Sequence, residues 1–297
     1  MKLKGCLAMK HFEIKAILGL GAVLVGVGFL GTLTVEASTA SSLDQAFKDG
    51  YVKTKKAMYT GQYTIVNGKK SKKVITPKGT ILQVGGSGAD KQSDGSYKYT
   101  INLDRGDLNH TQAVKYYETG RAITYKTSEL TPYKLKVPVR TRLLQAGTDF
   151  DPLNTKMDYQ PIFHLTLNGY LEYYSAARLK HYQIPNTYQL TKLENLPGGN
   201  STTYTPKYLA QIKPTASEKV STFKVKGDTT YLYYKKPING LTEKKVSNRY
   251  YRLIIKQTTS MKEKTWISGE DYVTVQWMLY NVGGHSFRYI NSYEGGD

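Results

Sequence analysis

The chain has 297 residues, with 42 lysines and arginines against 23 aspartates and glutamates and a formal net charge of +19. A balance this basic speaks to partners and solubility rather than to fold, and it directs attention to polyanions. The single cysteine, Cys6, excludes an intramolecular disulfide, a thiolate metal cluster and, outside the N-terminal segment where it lies, a cysteine nucleophile.

Residues 1–37 read as a signal peptide. Lys2, Lys4, Lys10 and Lys15 form a positive head, Ala16 to Val35 is an uncharged apolar run, and Val35-Glu-Ala37 offers small residues for cleavage. About 20 apolar residues also suffice to cross a bilayer, so an uncleaved leader would act as a membrane anchor. Removing it takes away four lysines and two glutamates and leaves 38 cations against 21 anions, a charge of +17. Leu196-Pro-Gly-Gly-Asn departs from the Leu-Pro-x-Thr-Gly sorting signal, so any attachment to a cell is expected to be noncovalent.

Residues 38–50 form a polar spacer. From Tyr51 onward the pattern is one of short alternating runs divided by turn residues, the signature of half-buried strands. Within 51–118 the expected strands are Tyr59 to Val66, a hairpin at Asn67-Gly68, then Lys72 to Ile75, Thr80 to Val84 and Tyr97 to Leu103, with a polar loop over Ala89 to Gly95. Within 130–184, an extended Tyr133 to Pro138 precedes Thr141 to Ala146. Phe163 to Tyr173 then reads as strand, turn and strand, Ser175 to Arg178 as one helical turn, and Leu179 to Ile184 as a closing strand. Residues 185–217 carry four prolines and Gly198-Gly199 and read as a linker. Residues 218–297 return to strands at Phe223–Val225, Thr230–Tyr234, Tyr250–Ile255, Tyr272–Trp277 and Phe287–Ile290, forming a C-terminal β-rich module. The chain beyond the leader is therefore expected to be all-β.

Two of these units repeat each other. Pro77-Lys-Gly-Thr-Ile-Leu-Gln-Val-Gly85 matches Pro138-Val-Arg-Thr-Arg-Leu-Leu-Gln-Ala-Gly147 with one residue inserted. Ile101–Leu108 matches Leu165–Leu171, and Val114-Lys-Tyr-Tyr117 matches Leu179-Lys-His-Tyr182. A nearly constant offset across several matches marks a duplicated module of about 60 residues. The order of Pro-x-x-Thr, Phe-x-Leu-x-Leu, turn glycine, Tyr170-Leu-Glu, Ser175-Ala-Ala-Arg178 and Leu179-Lys resembles a bacterial SH3-like module, best over Lys136–Tyr182 and more loosely over Lys72–Tyr117. That resemblance implies tandem small barrels. Together with the leader and the basic, tyrosine-rich composition, it is similar to surface-layer-type exported proteins of lactic-acid bacteria and implies a noncovalent role at a Gram-positive cell wall. One departure from the pattern is that Tyr170, the aromatic after the turn glycine, has Asp107 as its counterpart in the first unit.

Eight arginines leave 34 lysines. Lysine is a compact point charge suited to diffuse attraction, whereas arginine reads phosphate edges in a fixed fork. The 26 tyrosines, against seven phenylalanines and two tryptophans, suit half-buried strands first and sugar stacking second. The expected ligand is an anionic cell-wall polymer, teichoic acid or peptidoglycan. The candidate contacts are Tyr170, Tyr173, Tyr174, Arg178 and Lys180 in the second unit, with Lys69, Lys70, Lys72 and Lys73 in the first.

No catalytic residue, cofactor or metal ligand set is expected. Ser221-Thr-Phe-Lys224 has the spacing of a serine–lysine hydrolase motif, but that chemistry needs the pair on a buried helix and this segment alternates as a strand. No two of the five histidines have metal-ligand spacing, and Asp149 with Asp151 make too thin a shell for calcium. Two other readings compete. One is a self-assembling surface-layer or adhesin subunit. The other is a wall-modifying enzyme with its site in 185–297, for which Glu270, Asp271 and His285 are the available acid and base groups. The leader argues against nucleic acid as a partner.

Overall fold

The computed structural model describes residues 50–66, 69–104, 108–114, 116–118, 122–149, 159–182, 184, 209, 212–268 and 271–296. The expected leader and spacer up to residue 49, the expected turn at Asn67-Gly68, Asp107, Asp151, Glu270 and most of the proline-rich stretch lie outside these residues. The fold is all-β, as the alternation predicts. Among the described residues no helix is long and apolar enough to cross a membrane.

The first unit contains β1 (Tyr51–Thr54), β2 (Met58–Val66), β3 (Lys69–Thr76), β4 (Ile81–Lys91), β5 (Tyr97–Asp104), β6 (Tyr116–Glu118), β7 (Ile123–Thr124) and β8 (Leu130–Pro132). They form a five-stranded antiparallel sheet in the order β7-β5-β4-β1-β8 and a three-stranded sheet in the order β3-β2-β6. Val52, Met58, Leu82, Ile101, Leu103, Tyr125 and Leu130 fill the core. The buried Thr54 hydroxyl donates to the Pro77 carbonyl at 2.7 Å and accepts from the Thr80 amide at 3.0 Å, which fixes where the chain enters β4. Strand β4 is longer than its sequence suggests. A register shift between Val84 and Gly86 lets it bend without ending, so Ala89–Lys91 pair with β5 rather than forming a loop.

The remaining strands are β9 (Leu143–Ala146), β10 (Ile162–Leu165), β11 (Tyr170–Tyr174), β12 (Ala216–Lys226), β13 (Thr229–Tyr234), β14 (Lys244–Lys245), β15 (Tyr251–Gln257), β16 (Lys262–Ser268), β17 (Asp271–Val282) and β18 (His285–Gly296). Strands β9 to β13, then β15, β17 and β18, each pair antiparallel with the next, and β18 returns to β9. The result is a closed eight-stranded barrel running in chain order. The short strand β14 rides on β15, and β16 rides on β17.

A barrel of eight strands has an interior that side chains can fill. Here Leu144, Phe163, Leu165, Leu171, Tyr173, Leu232, Tyr234, Leu253, Ile255 and Phe287 do so. Two connections complete the core: Val137 and Val139 come from the segment before β9, and Ile238 and Leu241 from the segment after β13. Glu243 secures the second segment by accepting from the Ile238 amide at 2.9 Å and from the Tyr234 hydroxyl. Gly240 passes so close to Tyr173 that a Cβ there would lie 2.5 Å from the ring.

Several boundaries differ from the sequence reading. Leu130–Pro132 pair with β1, so the opening of the second repeat belongs to the first sheet. Residues 143–174 supply three strands of the eight-stranded barrel rather than closing a small barrel of their own, and β11 pairs directly with β12. The sheet is thus continuous across the expected boundary between 184 and 218. Residues 176–181, expected to lead from a single turn into a strand, form a six-residue helix, α2, which follows the four-residue α1 (His110–Ala113). Ser175 caps α2 by accepting from the Arg178 amide at 3.2 Å, and Leu179 anchors it in a second cluster outside the barrel with Leu143, Ile162, Tyr174 and Ile184.

A fragment of residues 130–184 is therefore expected to be unfolded, because it holds only three of the eight barrel strands. A collapsed, poorly dispersed proton–nitrogen NMR spectrum is the predicted result. A dispersed spectrum from the fragment would show that it is a module in its own right.

Candidate functional site

The β2–β3 hairpin gathers four of the expected cations, and Lys69, Lys70, Lys72 and Lys73 are all exposed. Its sequence explains its two faces. Met58, Thr60, Gln62 and Thr76 turn inward, and the Thr60 and Thr76 hydroxyls share a 2.6 Å hydrogen bond. Tyr59 and Tyr63 turn outward against Ile75 and Lys73 of β3. Lys70 Nζ lies 3.7 Å from the Tyr63 ring centre and Lys73 Nζ 5.1 Å from that of Tyr59. The two rings meet edge to face, with centres 5.6 Å apart. A cation over a ring at an exposed site contributes about 0.5–1 kcal/mol, enough to bias lysine positions without satisfying the charge. Among the described residues, none of these four lysines pairs with a carboxylate.

The hairpin electrostatics leave a mark on the two phenols. The Tyr63 hydroxyl is held below its ordinary range, first by the hydrogen bond from Tyr59 and then by Lys70 and Lys73. Tyr59 is pushed up to about 12, chiefly by burial and then by its partner Tyr63.

The five candidates in the second repeat divide. Tyr170 is half-buried beneath Lys219, whose Nζ lies 4.6 Å from its ring centre. Tyr173 points into the barrel core, and Tyr174 is fully buried on the outside under α2. The Tyr174 hydroxyl donates to Glu172 at 3.3 Å, and burial first, then Glu172, holds it well above the ordinary tyrosine range. Neither of these two rings is open to a ligand from solvent. Arg178 sits 6.0 Å from the Tyr182 ring centre, and Lys180 is exposed on α2. Tyr170 opens the five-residue strand β11, whereas Arg178 and Lys180 stand together on α2 beyond its far end, so about 13 Å of strand separates Tyr170 from the start of the segment that carries the two cations.

A different cluster forms where the first unit meets the barrel. The Tyr51 hydroxyl and the Thr141 hydroxyl are 2.6 Å apart. Asn168 accepts from the Asn109 amide at 3.1 Å and donates its side-chain amide back to Asn109 at 2.7 Å. The His110 amide donates to the buried Glu172 at 2.6 Å. Beside this joint lies a cavity of about 530 Å³, to which the first repeat contributes Gly79 and Thr80, the second contributes Arg140 and Asn168, and β12 contributes Lys219. In the sequence match of 77–85 with 138–147 Arg140 falls opposite Gly79, and both residues line the cavity. Lys219 donates to the Asn168 carbonyl. Burial depresses the pKa of both cations, and for Lys219 the charge of Arg140 adds to it. Neither Arg140 nor Lys219 stands out by sequence alone. The available signal was the scarcity of arginine together with the glycine-to-arginine difference between the repeats.

Of the groups considered for catalysis, Glu270 lies outside the described residues. Ser221 and Lys224 both lie exposed on β12, a strand and not a helix. His285 is hydrogen bonded through Nε2 to the Thr242 hydroxyl at 2.8 Å. No protein-family model, curated protein or solved structure matches the chain.

The hairpin geometry predicts the order of ionisation. In an alkaline titration followed by phenolate absorbance, Tyr63 is expected to ionise well before Tyr59. Replacing Lys70 with Met removes a cation that favours the Tyr63 phenolate, so the Tyr63 pKa should rise. An unchanged Tyr63 titration in that variant would contradict the contact.

Proposed function

We propose that this is an exported, noncatalytic cell-surface protein that holds anionic cell-wall polymer, teichoic acid or peptidoglycan, through basic, tyrosine-bearing β structure. The observation that carries the reading is the outer face of the β2–β3 hairpin, where exposed lysines lie over tyrosine rings without carboxylate partners among the described residues. Such a face attracts a phosphate- or carboxylate-bearing chain by charge and offers ring faces for its sugars or polyols. The looser SH3-like resemblance over Lys72–Tyr117 is in keeping with the same role, and the small two-sheet unit of 51–132 is compatible with it. Tyr170, Arg178 and Lys180 are secondary contacts on the barrel. Each exposed cation contributes about 0–1 kcal/mol, so useful retention comes from several engaged together.

A second reading, self-assembly into a surface layer or adhesin, is favoured by the far end of the barrel. There β16 forms an edge on the extended β17–β18 pair, and Ile267 is 75% exposed, Met261 46% and Tyr272 46%. Exposed edges with apolar side chains are templates for pairing with another chain.

Cosedimentation of the protein with isolated cell walls separates these readings. Binding is expected to fall when walls are stripped of teichoic acid and when salt is raised, because contacts between exposed charges are screened within about 10 Å at 0.1 M. Replacing Lys69, Lys70, Lys72 and Lys73 together with Gln should weaken binding about tenfold or more, because four contacts of about 0.35 kcal/mol each sum to about 1.4 kcal/mol. Binding unaffected by all three changes would contradict the hairpin role, and concentration-dependent oligomers without wall binding would favour the lattice reading.

A further inference from the structure

The joint between the first unit and the barrel holds a second site, independent of the hairpin. We infer that the cavity flanked by Arg140 and Lys219 binds a small anionic ligand, a phosphate- or carboxylate-bearing group attached to a sugar- or polyol-sized body.

Three observations carry this. First, the cations converge. Arg140 Nη2 and Lys219 Nζ each lie 3.7 Å from where a Cβ on Gly169 would stand, so they are no more than 7.4 Å apart, twice that distance. Gly169 has no side chain and a φ of +76°, so the turn between β10 and β11 leaves the space in front of both cations clear. Two like charges brought together and partly stripped of water cost free energy unless an anion lies between them. Second, no anion among the described residues does so. None of the described residues lining the cavity is acidic, and among the described residues the buried Arg140 Nε has no hydrogen-bond partner. An oxyanion can accept from both cations at about 2.7–2.9 Å, and a guanidinium fork presents two parallel donors to it. Third, the cavity is much larger than a bare oxyanion. Its volume of about 530 Å³ falls within the range of small-molecule sites, about 300–1,000 Å³. The Thr80, Ser221 and Thr222 hydroxyls supply polar partners and Phe223 an apolar wall. That combination suits the hydroxyl-bearing carbon skeleton of a sugar or polyol next to its charge.

The site does not rest on the polymer reading and would stand if the protein bound no wall. Calorimetric titration of the full chain with glycerol 3-phosphate, with glucuronate and with inorganic phosphate tests it. At least one of the two larger anions is expected to bind saturably, and whichever binds more tightly identifies the charged group as phosphate or carboxylate. Lys219→Gln and Arg140→Gln should each weaken that binding about tenfold or more, the scale of a lost charge-assisted hydrogen bond. Lys219 lies at an exposed strand position, so its variant should keep the wild-type melting temperature and carries the test even if the Arg140 variant folds poorly. A Lys70→Gln, Lys73→Gln variant should bind as wild type, which separates this site from the hairpin. Three results would overturn the assignment: no saturable binding of any probe, wild-type binding by Lys219→Gln, or inorganic phosphate bound as tightly as glycerol 3-phosphate. The last would deny the ligand its larger body.

Discussion

The return of β18 to β9 is the contact on which the barrel depends. It is made at only two register positions, Phe287 opposite Ala146 and Arg288 opposite Gln145, yet it joins segments about 140 residues apart in the chain. Without it the sheet has two open edges, and the Leu144–Phe163–Leu171 side of the core faces solvent instead of Leu253 and Phe287. Arg288 reinforces the seam through its side chain, donating to the Ala146 carbonyl at 3.0 Å and to the Gln145 side chain at 3.3 Å. Gly147 keeps the seam close, because a Cβ there would stand 2.7 Å from the same guanidinium. A closed sheet has no free edge, which matters for a chain with no disulfide to hold it together.

Closure also fixes what the outside of the barrel can present. Strand β11 has its inner face in the core and its outer face under α2 and the first unit, so Tyr173 and Tyr174, adjacent and pointing to opposite faces, are both removed from solvent. The first unit meets that outer face through the His110 amide at Glu172, and meets its surroundings through Asn109 at Asn168 and Tyr51 at Thr141. Solvent-facing surface is left at the periphery: the β2–β3 hairpin, the extended β16–β18 end, and the cavity at the joint. The lysine-rich composition is therefore spread over distinct surfaces, and Arg140 with Lys219 brings two cations onto a concave surface with no acid among its described lining residues.

Much of this architecture was legible locally. The alternation from Phe163 to Tyr173 with Asn168-Gly169 at its centre gave β10, a turn and β11, and Tyr97 to Leu103 gave β5. The lysine hairpin and its exposure followed from Asn67-Gly68 between alternating runs. Local periodicity carries no information on which edges meet, so it could not place Leu130–Pro132 in the first sheet or join 143–174 to 216–296. The helical turn at Ser175–Arg178 was legible, but its continuation to His181 in place of a strand from Leu179 was not, because six residues are too few to register a period; Ser175 capping and Leu179 burial favour the helix. The joint cavity was not legible for the same reason as the barrel: Arg140 and Lys219 are brought together by pairing between strands distant in sequence.

The central claim is that the β2–β3 hairpin is the surface that meets the polymer. Hydrogen–deuterium exchange of the full chain, with and without soluble teichoic acid released from isolated walls, tests it most directly. The account predicts new protection of backbone amides within Met58–Val66 and Lys69–Thr76, with the buried barrel strands unchanged. Protection confined to Lys262–Ser268 and the strands beside it, with the hairpin unchanged, would contradict it.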